Sequence, residues 1–140
     1  MNKEKKRWQY RFDNFKRAYF LLQEAIEQYN AGELNQLGKE GAIRRFKTCI
    51  ELSYSTIKDY MKNQHIALSQ ITPNTVIKEA IAAKIISDGE NWMKTLDARN
   101  EMSHTYDFKK FEAVLEAVKT SYLNCFGQLY EKLGAEYDEN

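Results

Sequence analysis

The chain has 140 residues, 43% hydrophobic and 29% charged, which is enough for one compact domain with a real core and too little for two. One proline, six glycines and apolar residues recurring at steps of three and four point to an all-helical class. A net charge of +1 argues against a protein whose main business is gripping bare nucleic acid by electrostatics alone.

That charge is unevenly spread. Residues 1–70 carry 13 Lys and Arg against 8 Asp and Glu, and residues 71–140 carry 8 against 12. Solvated helix faces of differing sign account for most of this, and a complementary partner surface or a local phosphate-binding face would also suit it. Cys49 and Cys125 form no CxxC pair and lie on apolar stripes, so they read as reduced core thiols rather than metal ligands. The basic start, Met1 to Arg7, is followed by no apolar run, and no segment reaches membrane-spanning length. A cytoplasmic location is the expectation.

The first predicted helix runs from about Lys5 to Tyr29. Trp8, Phe12, Phe15, Tyr19, Leu22, Ile26 and Tyr29 form its stripe, five of the seven aromatic, and Asn30-Ala31-Gly32 supplies the stop. Tyr10 and Phe20 fall outside the stripe as outer aromatics, secondary candidates for partner contact. A second helix is predicted from about Glu40 to Asn63, with Ile43, Phe46, Ile50, Ser53, Ile57 and Tyr60 facing inward. Ser53 is its one small hydroxyl, suited to a close crossing or to a bond back to the carbonyl four residues earlier. Arg44, Arg45 and Lys47 make the densest basic cluster of the middle of the chain, and Glu51 lies one residue to the side of the apolar stripe.

Gln64 to Ile71 reads as a loop carrying His65 at the surface. Thr72-Pro73 then opens a short helix, threonine as N-cap and proline in the first turn, which Ser87-Asp88-Gly89 ends. Asp88 is placed to cap a fourth helix from about Gly89 to Met102, which buries Trp92 and Leu96 and brings Arg99 near the inner face at its end. Asp107 caps a fifth helix from Phe108 to about Leu133, and the acidic tail from Gly134 to Asn140 is expected to fray. Short connections favour antiparallel neighbours. The predicted architecture is therefore a single domain over residues 1–140, an all-α antiparallel up-down four-helix bundle with one short additional helix.

The segment Arg99-Asn100-Glu101-Met102-Ser103-His104-Thr105-Tyr106 stands at the break between two of these helices. In an unbroken helix, residues five apart diverge by about 140°, at 100° each. Arg99 and His104 can therefore converge only if the helix ends near Ser103. A histidine can pass protons at physiological pH, and a guanidinium offers a planar fork for phosphate oxygens. Together they suit phosphodiester cleavage in which the RNA 2′-hydroxyl is the nucleophile, histidine moves protons and arginine stabilises the developing negative charge. Taken by themselves these residues have a plainer reading: a helix-end arginine paired with Asp97 or Glu101, beside a histidine near a cap.

Arg99-Asn100-x-x-x-His104-x-Tyr106 resembles the signature of the HEPN superfamily (higher eukaryotes and prokaryotes nucleotide-binding domain). Gly41 to Phe46, Glu51-Leu52, Ile57 to Tyr60, Thr72-Pro73 through Ala80 and Asp88 to Trp92 are similar to the small helical nucleotidyltransferase substrate-binding proteins of that superfamily. The resemblance covers about residues 8 to 133.

It implies a helical bundle that pairs as a homodimer, with both Arg-to-His motifs in one interfacial cleft. It further implies a metal-independent ribonuclease toxin, whose cognate minimal nucleotidyltransferase uses ATP and Mg²⁺ to place AMP on the motif tyrosine. Arg99 and His104 then become the catalytic pair, Asn100 a supporting group, Tyr106 the site of modification, and RNA or nucleotide the ligand. Arg44 and Arg45 are candidate phosphate contacts in the dimer cleft, and no metal site is expected. The alternative within the family is a non-catalytic subunit that holds nucleotide or substrate for a two-component nucleotidyltransferase. A purely structural helical interaction protein is the third reading. No Gly-Ser dipeptide followed by paired acidic residues occurs, so nucleotidyl transfer, with its ATP and Mg²⁺, is expected to belong to the partner.

Overall fold

The structure, a computed structural model, describes residues 4–139. Met1 to Lys3, the beginning of the basic start, and Asn140, the end of the acidic tail, lie outside the described residues. The chain is all-helical. Its elements are α1 (Arg7–Asn30), α2 (Gln36–Asn63), α3 (Pro73–Ala82), α4 (Gly89–Met102) and α5 (Phe108–Ala117). From α5 a π-helical turn (Val118–Tyr122) leads directly into α6 (Leu123–Glu139), so these last three form one continuous rod. The principal rods are thus α1, α2, α4 and α5–α6, with α3 as the short extra helix.

Each helix end has a local cause. At the start of α1 the Lys6 backbone N–H donates to Gln9 Oε1 at 2.7 Å. Its far end closes as predicted at Gly32, whose φ of 72° lets Glu33 N–H reach the Gln28 carbonyl at 2.9 Å. Helix α2 begins at Gln36, four residues before the expected Glu40, because Asn35 Oδ1 accepts the Gly38 N–H at 2.8 Å.

Two further helix ends use a left-handed residue that the sequence reading did not foresee, although α2 stops at Asn63 as expected. His65, expected as a plain surface loop residue, adopts φ 60° and closes α2 through Ile66 N–H to the Met61 carbonyl at 3.0 Å. Lys84, at φ 61°, closes α3 through Ile85 N–H to the Ala80 carbonyl at 2.9 Å, so α3 stops at Ala82, ahead of Ser87-Asp88-Gly89. Asp88 does stand at the N-cap of α4, but its carboxylate accepts from the Asn91 side chain at 2.8 Å rather than from a backbone N–H. Thr72 and Asp107 cap α3 and α5 as expected.

The core holds two groups of aromatic rings, one around Trp8 and one around Trp92. Trp8, Phe15, Phe46, Trp92 and Phe126 are fully buried, and Trp92 meets Phe126 edge-on with centroids 5.7 Å apart. Helix α2 packs against α1, α3, α4 and α5, and α1 packs against α6. Buried Ser53 bonds to the Ile50 carbonyl at 2.8 Å, three residues back rather than four, which satisfies its hydroxyl inside the core. Cys49 and Cys125 are buried, and burial raises both thiols. Cys125 is pushed up to about 12, with the Asp88 carboxylate adding to burial. Such thiols are inert at neutral pH. Among the described residues no helix is long and apolar enough to cross a membrane.

The acidic tail corrects the expectation of fraying. Helix α6 continues to Glu139 because Tyr137, beyond the Leu133 at which the stripe seemed to end, sits against Trp8 at 6.0 Å and Phe12 at 5.4 Å. Gln9 Nε2 also donates to the Tyr137 carbonyl at 3.4 Å. Tyr137→Ala should therefore cost about 2 kcal/mol, less than a fully buried ring because this one is half-buried. A thermal melt reads this, and an unchanged midpoint would mean that the tail contributes nothing to the bundle.

Candidate functional site

The helix break occurs where convergence of the motif requires it. Helix α4 ends at Met102, and Ser103 closes it, its N–H donating to the carbonyls of Arg99 at 3.2 Å and Asn100 at 3.3 Å. Ser103 Oγ donates again to the Arg99 carbonyl at 3.0 Å. His104 N–H reaches the Glu101 carbonyl at 3.1 Å, and Thr105 Oγ1 accepts the Asp107 N–H at 3.1 Å. Two residue types that compete with helix for backbone bonds, Ser and Thr, thus bracket His104 and stop the rod.

Arg99 points towards α2 and stays partly exposed. Its Nε and Nη2 both donate to Glu51 Oε1, at 3.3 and 3.0 Å. The partner is therefore Glu51, and neither Asp97 nor Glu101; Glu101 instead lies 3.6 Å from Lys110 Nζ. Glu51 is the functional candidate that sequence reasoning missed. Its traces were a carboxylate beside the apolar stripe of α2 and a place in the Glu51-Leu52 segment of the family resemblance, but nothing in the chain order links residues 48 apart. The ion pair forms one wall of a cleft of about 190 Å³ whose other lining includes Ile50, Tyr54, Ser55 and Leu96. Tyr54 is fixed there by its hydroxyl donating to the Ile71 carbonyl.

With one edge of the guanidinium on Glu51, Nη1 has no hydrogen-bond partner among the described residues and is left for another acceptor. A carboxylate that holds Nε and Nη2 also sets the plane of the fork, which is the geometry a phosphate oxygen would meet.

The other motif residues lie outside this cleft. Asn100, His104 and Tyr106 are exposed, Tyr106 at 96%. Among the described residues no hydrogen bond or ion pair joins His104 to Arg99, and none engages the imidazole or the Tyr106 hydroxyl. The structure brings Arg99 to Glu51 and leaves His104 and Tyr106 presented on the junction, one turn beyond. Arg44 and Arg45 line a different depression, between α1 and α2. Arg44 is exposed, while Arg45 Nη1 donates to the Leu21 carbonyl at 2.9 Å and lies 3.6 Å from Glu24. Among the described residues no three His, Cys, Asp or Glu side chains gather as a metal-ligand set.

Comparison with known proteins places the fold. A model of the family described as nucleotidyltransferase substrate binding protein like matches residues 10–135. The Haemophilus influenzae protein named "Probable ribonuclease HepT" is 34% identical over 77 residues, which are 53% of this chain and 53% of that protein. The chain thus spans about half the length of the curated relative it matches. A solved Haemophilus influenzae structure, described as revealing the fold of a substrate binding domain of a nucleotidyltransferase, aligns with a TM-score of 0.75 at 26% identity. That alignment covers 87% of this chain and 98% of the other.

The Arg99 and Glu51 side chains are 31% and 52% exposed, so the pair contributes little to folding. Arg99→Ala or Glu51→Ala should each change stability by less than about 1 kcal/mol. Urea unfolding midpoints check this, and a loss above about 3 kcal/mol would make the pair a structural clamp instead.

Proposed function

The chain belongs to the nucleotidyltransferase substrate binding protein like family, and on that premise we propose that it is a HEPN-type ribonuclease whose activity a partner nucleotidyltransferase controls. The observation that carries this reading is the half-satisfied guanidinium of Arg99, anchored on Glu51 in a cleft at the end of the same helix that presents His104.

In the proposed reaction the RNA 2′-oxygen attacks the adjacent phosphorus, the P–O5′ bond breaks, and a 2′,3′-cyclic phosphate and a 5′-hydroxyl result. His104 accepts the 2′-hydroxyl proton and delivers it to the leaving 5′-oxygen, and Arg99 Nη1 takes the charge that develops on the non-bridging oxygens. The exposed placement of His104 suits a homodimer in which a second copy closes the site, bringing Arg99 of one chain to the scissile phosphate with His104 of either. Asn100, exposed on the last turn of α4, is the supporting polar group.

Control falls to Tyr106. The residue is almost wholly exposed on the junction between α4 and α5 and its hydroxyl has no partner among the described residues, which is the accessibility a second enzyme needs. With ATP and Mg²⁺ held by the partner, Tyr106 Oη attacks the α-phosphorus, pyrophosphate leaves, and the tyrosine proton passes to a base of the partner. The AMP group then adds bulk and negative charge beside His104 and repels RNA phosphates. In such a pair this chain is the toxin and the nucleotidyltransferase its antitoxin. The second reading, a non-catalytic subunit holding nucleotide or substrate for the transferase, is favoured by the separation of Arg99 from His104 in the single chain and by the description of the solved relative.

Purified protein should cut single-stranded RNA in excess EDTA, and Arg99→Ala and His104→Ala should each slow this about 10²- to 10⁴-fold. Undiminished cutting by His104→Ala removes the histidine from the chemistry, and an inactive wild type favours the second reading. After co-expression with the partner transferase, mass spectrometry should find an AMP group on the peptide containing Tyr106, and none on Tyr106→Phe. A clean wild-type peptide contradicts the proposed control.

A further inference from the structure

The depression between α1 and α2, about 350 Å³, differs in character from the Arg99 cleft. Its floor is aliphatic, made by Ala18, Leu21 and Leu52, and its rim carries Arg17, Arg44 and Arg45. No carboxylate lines it. Arg45 is held by the Leu21 carbonyl and by Glu24, but Arg17 and Arg44 are exposed and have no hydrogen bond or ion pair among the described residues. A protein of net charge +1 thus gathers three guanidinium groups over one apolar slot.

The slot and the Arg99 cleft are both lined from α2, the slot by Arg44, Arg45, Thr48 and Leu52 and the cleft by Ile50, Glu51, Tyr54 and Ser55. Arg44 and Glu51 are seven residues apart, so they share nearly one face of the helix and lie about 10 Å apart along its axis. That is the rise of roughly three stacked nucleotides at about 3.4 Å each. Planar guanidinium forks match phosphate oxygens, and an aliphatic floor of this size accepts the face of a base that is splayed from a single strand.

We propose that the α1–α2 groove is a single-stranded RNA subsite, in which Arg17 and Arg44 bind phosphates flanking the cleaved bond and one base lies on Ala18, Leu21 and Leu52. The proposal rests on the RNA-cleaving reading of Arg99 and His104. Arg45, tied to the Leu21 carbonyl, keeps the rim rigid rather than contacting phosphate itself.

The test is fluorescence anisotropy of a 2′-O-methyl decanucleotide, which cannot be cut, with the full chain and with the Arg17→Gln/Arg44→Gln double variant. Both side chains are exposed, so the fold should survive, and a circular dichroism melt verifies this. Affinity should fall by at least about tenfold. The slope of log affinity against log salt should flatten by about 1.4, from roughly 0.7 per phosphate contact on a single strand. Arg17→Lys/Arg44→Lys should restore the slope. A double variant with wild-type affinity and slope overturns the subsite. If the variant holds RNA normally but loses a complex with the partner transferase, the groove is a protein dock and the proposal is wrong. A wild type that cuts no RNA, yet binds the decanucleotide through these arginines, retires the nuclease and keeps the subsite.

Discussion

The position of α2 constrains everything else in this molecule. It packs against α1, α3, α4 and α5, and its buried face, with Phe46, Cys49, Ile50, Ser53 and Ile57, leaves no freedom to rotate. Phe46 stacks on Tyr122 at 5.9 Å and meets Phe126 at 6.3 Å, which locks α2 to the π-helical turn and the start of α6. With that face fixed, Glu51 is delivered to the end of α4 and Arg44 to the groove with α1. The chemistry of both depressions is therefore a consequence of one helix being held in one rotation.

Much of this was legible in the residues. The aromatic stripe of α1, the limits of α4 at Gly89 and Met102, and the Asp107 cap of α5 all follow from local rules that act within a turn or two of helix. What escaped was of two physical kinds. His65 and Lys84 end helices in a left-handed conformation that glycine usually supplies, so residue type gave no warning. The other kind is long-range: Tyr137 pinning the tail to Trp8, and Arg99 choosing Glu51 over its near neighbours Asp97 and Glu101. Contacts between residues far apart in the chain leave no period or spacing to detect.

The candidate site divides along the same line. The motif from Arg99 to Tyr106, and the family to which the chain belongs, were readable from residue types in order. The orientation of each side chain was not. One turn of helix end separates a guanidinium directed towards α2 from an imidazole and a phenol directed outward. The ion pair with Glu51 is weak as a source of stability because both partners remain in reach of water. In the proposed reaction its worth lies in fixing one edge of the fork while the other stays available.

The central claim is that Arg99 and His104 act on the same phosphate. The most direct measurement is a nuclear magnetic resonance titration with a non-cleavable 2′-O-methyl dinucleotide, following the Arg99 Nε–H and the His104 ring resonances together. Both signals should shift along one binding curve, and Glu51→Gln should weaken the arginine response more than the histidine response. Movement of only one of the two, or two curves with different midpoints, would place them in separate sites and contradict the account.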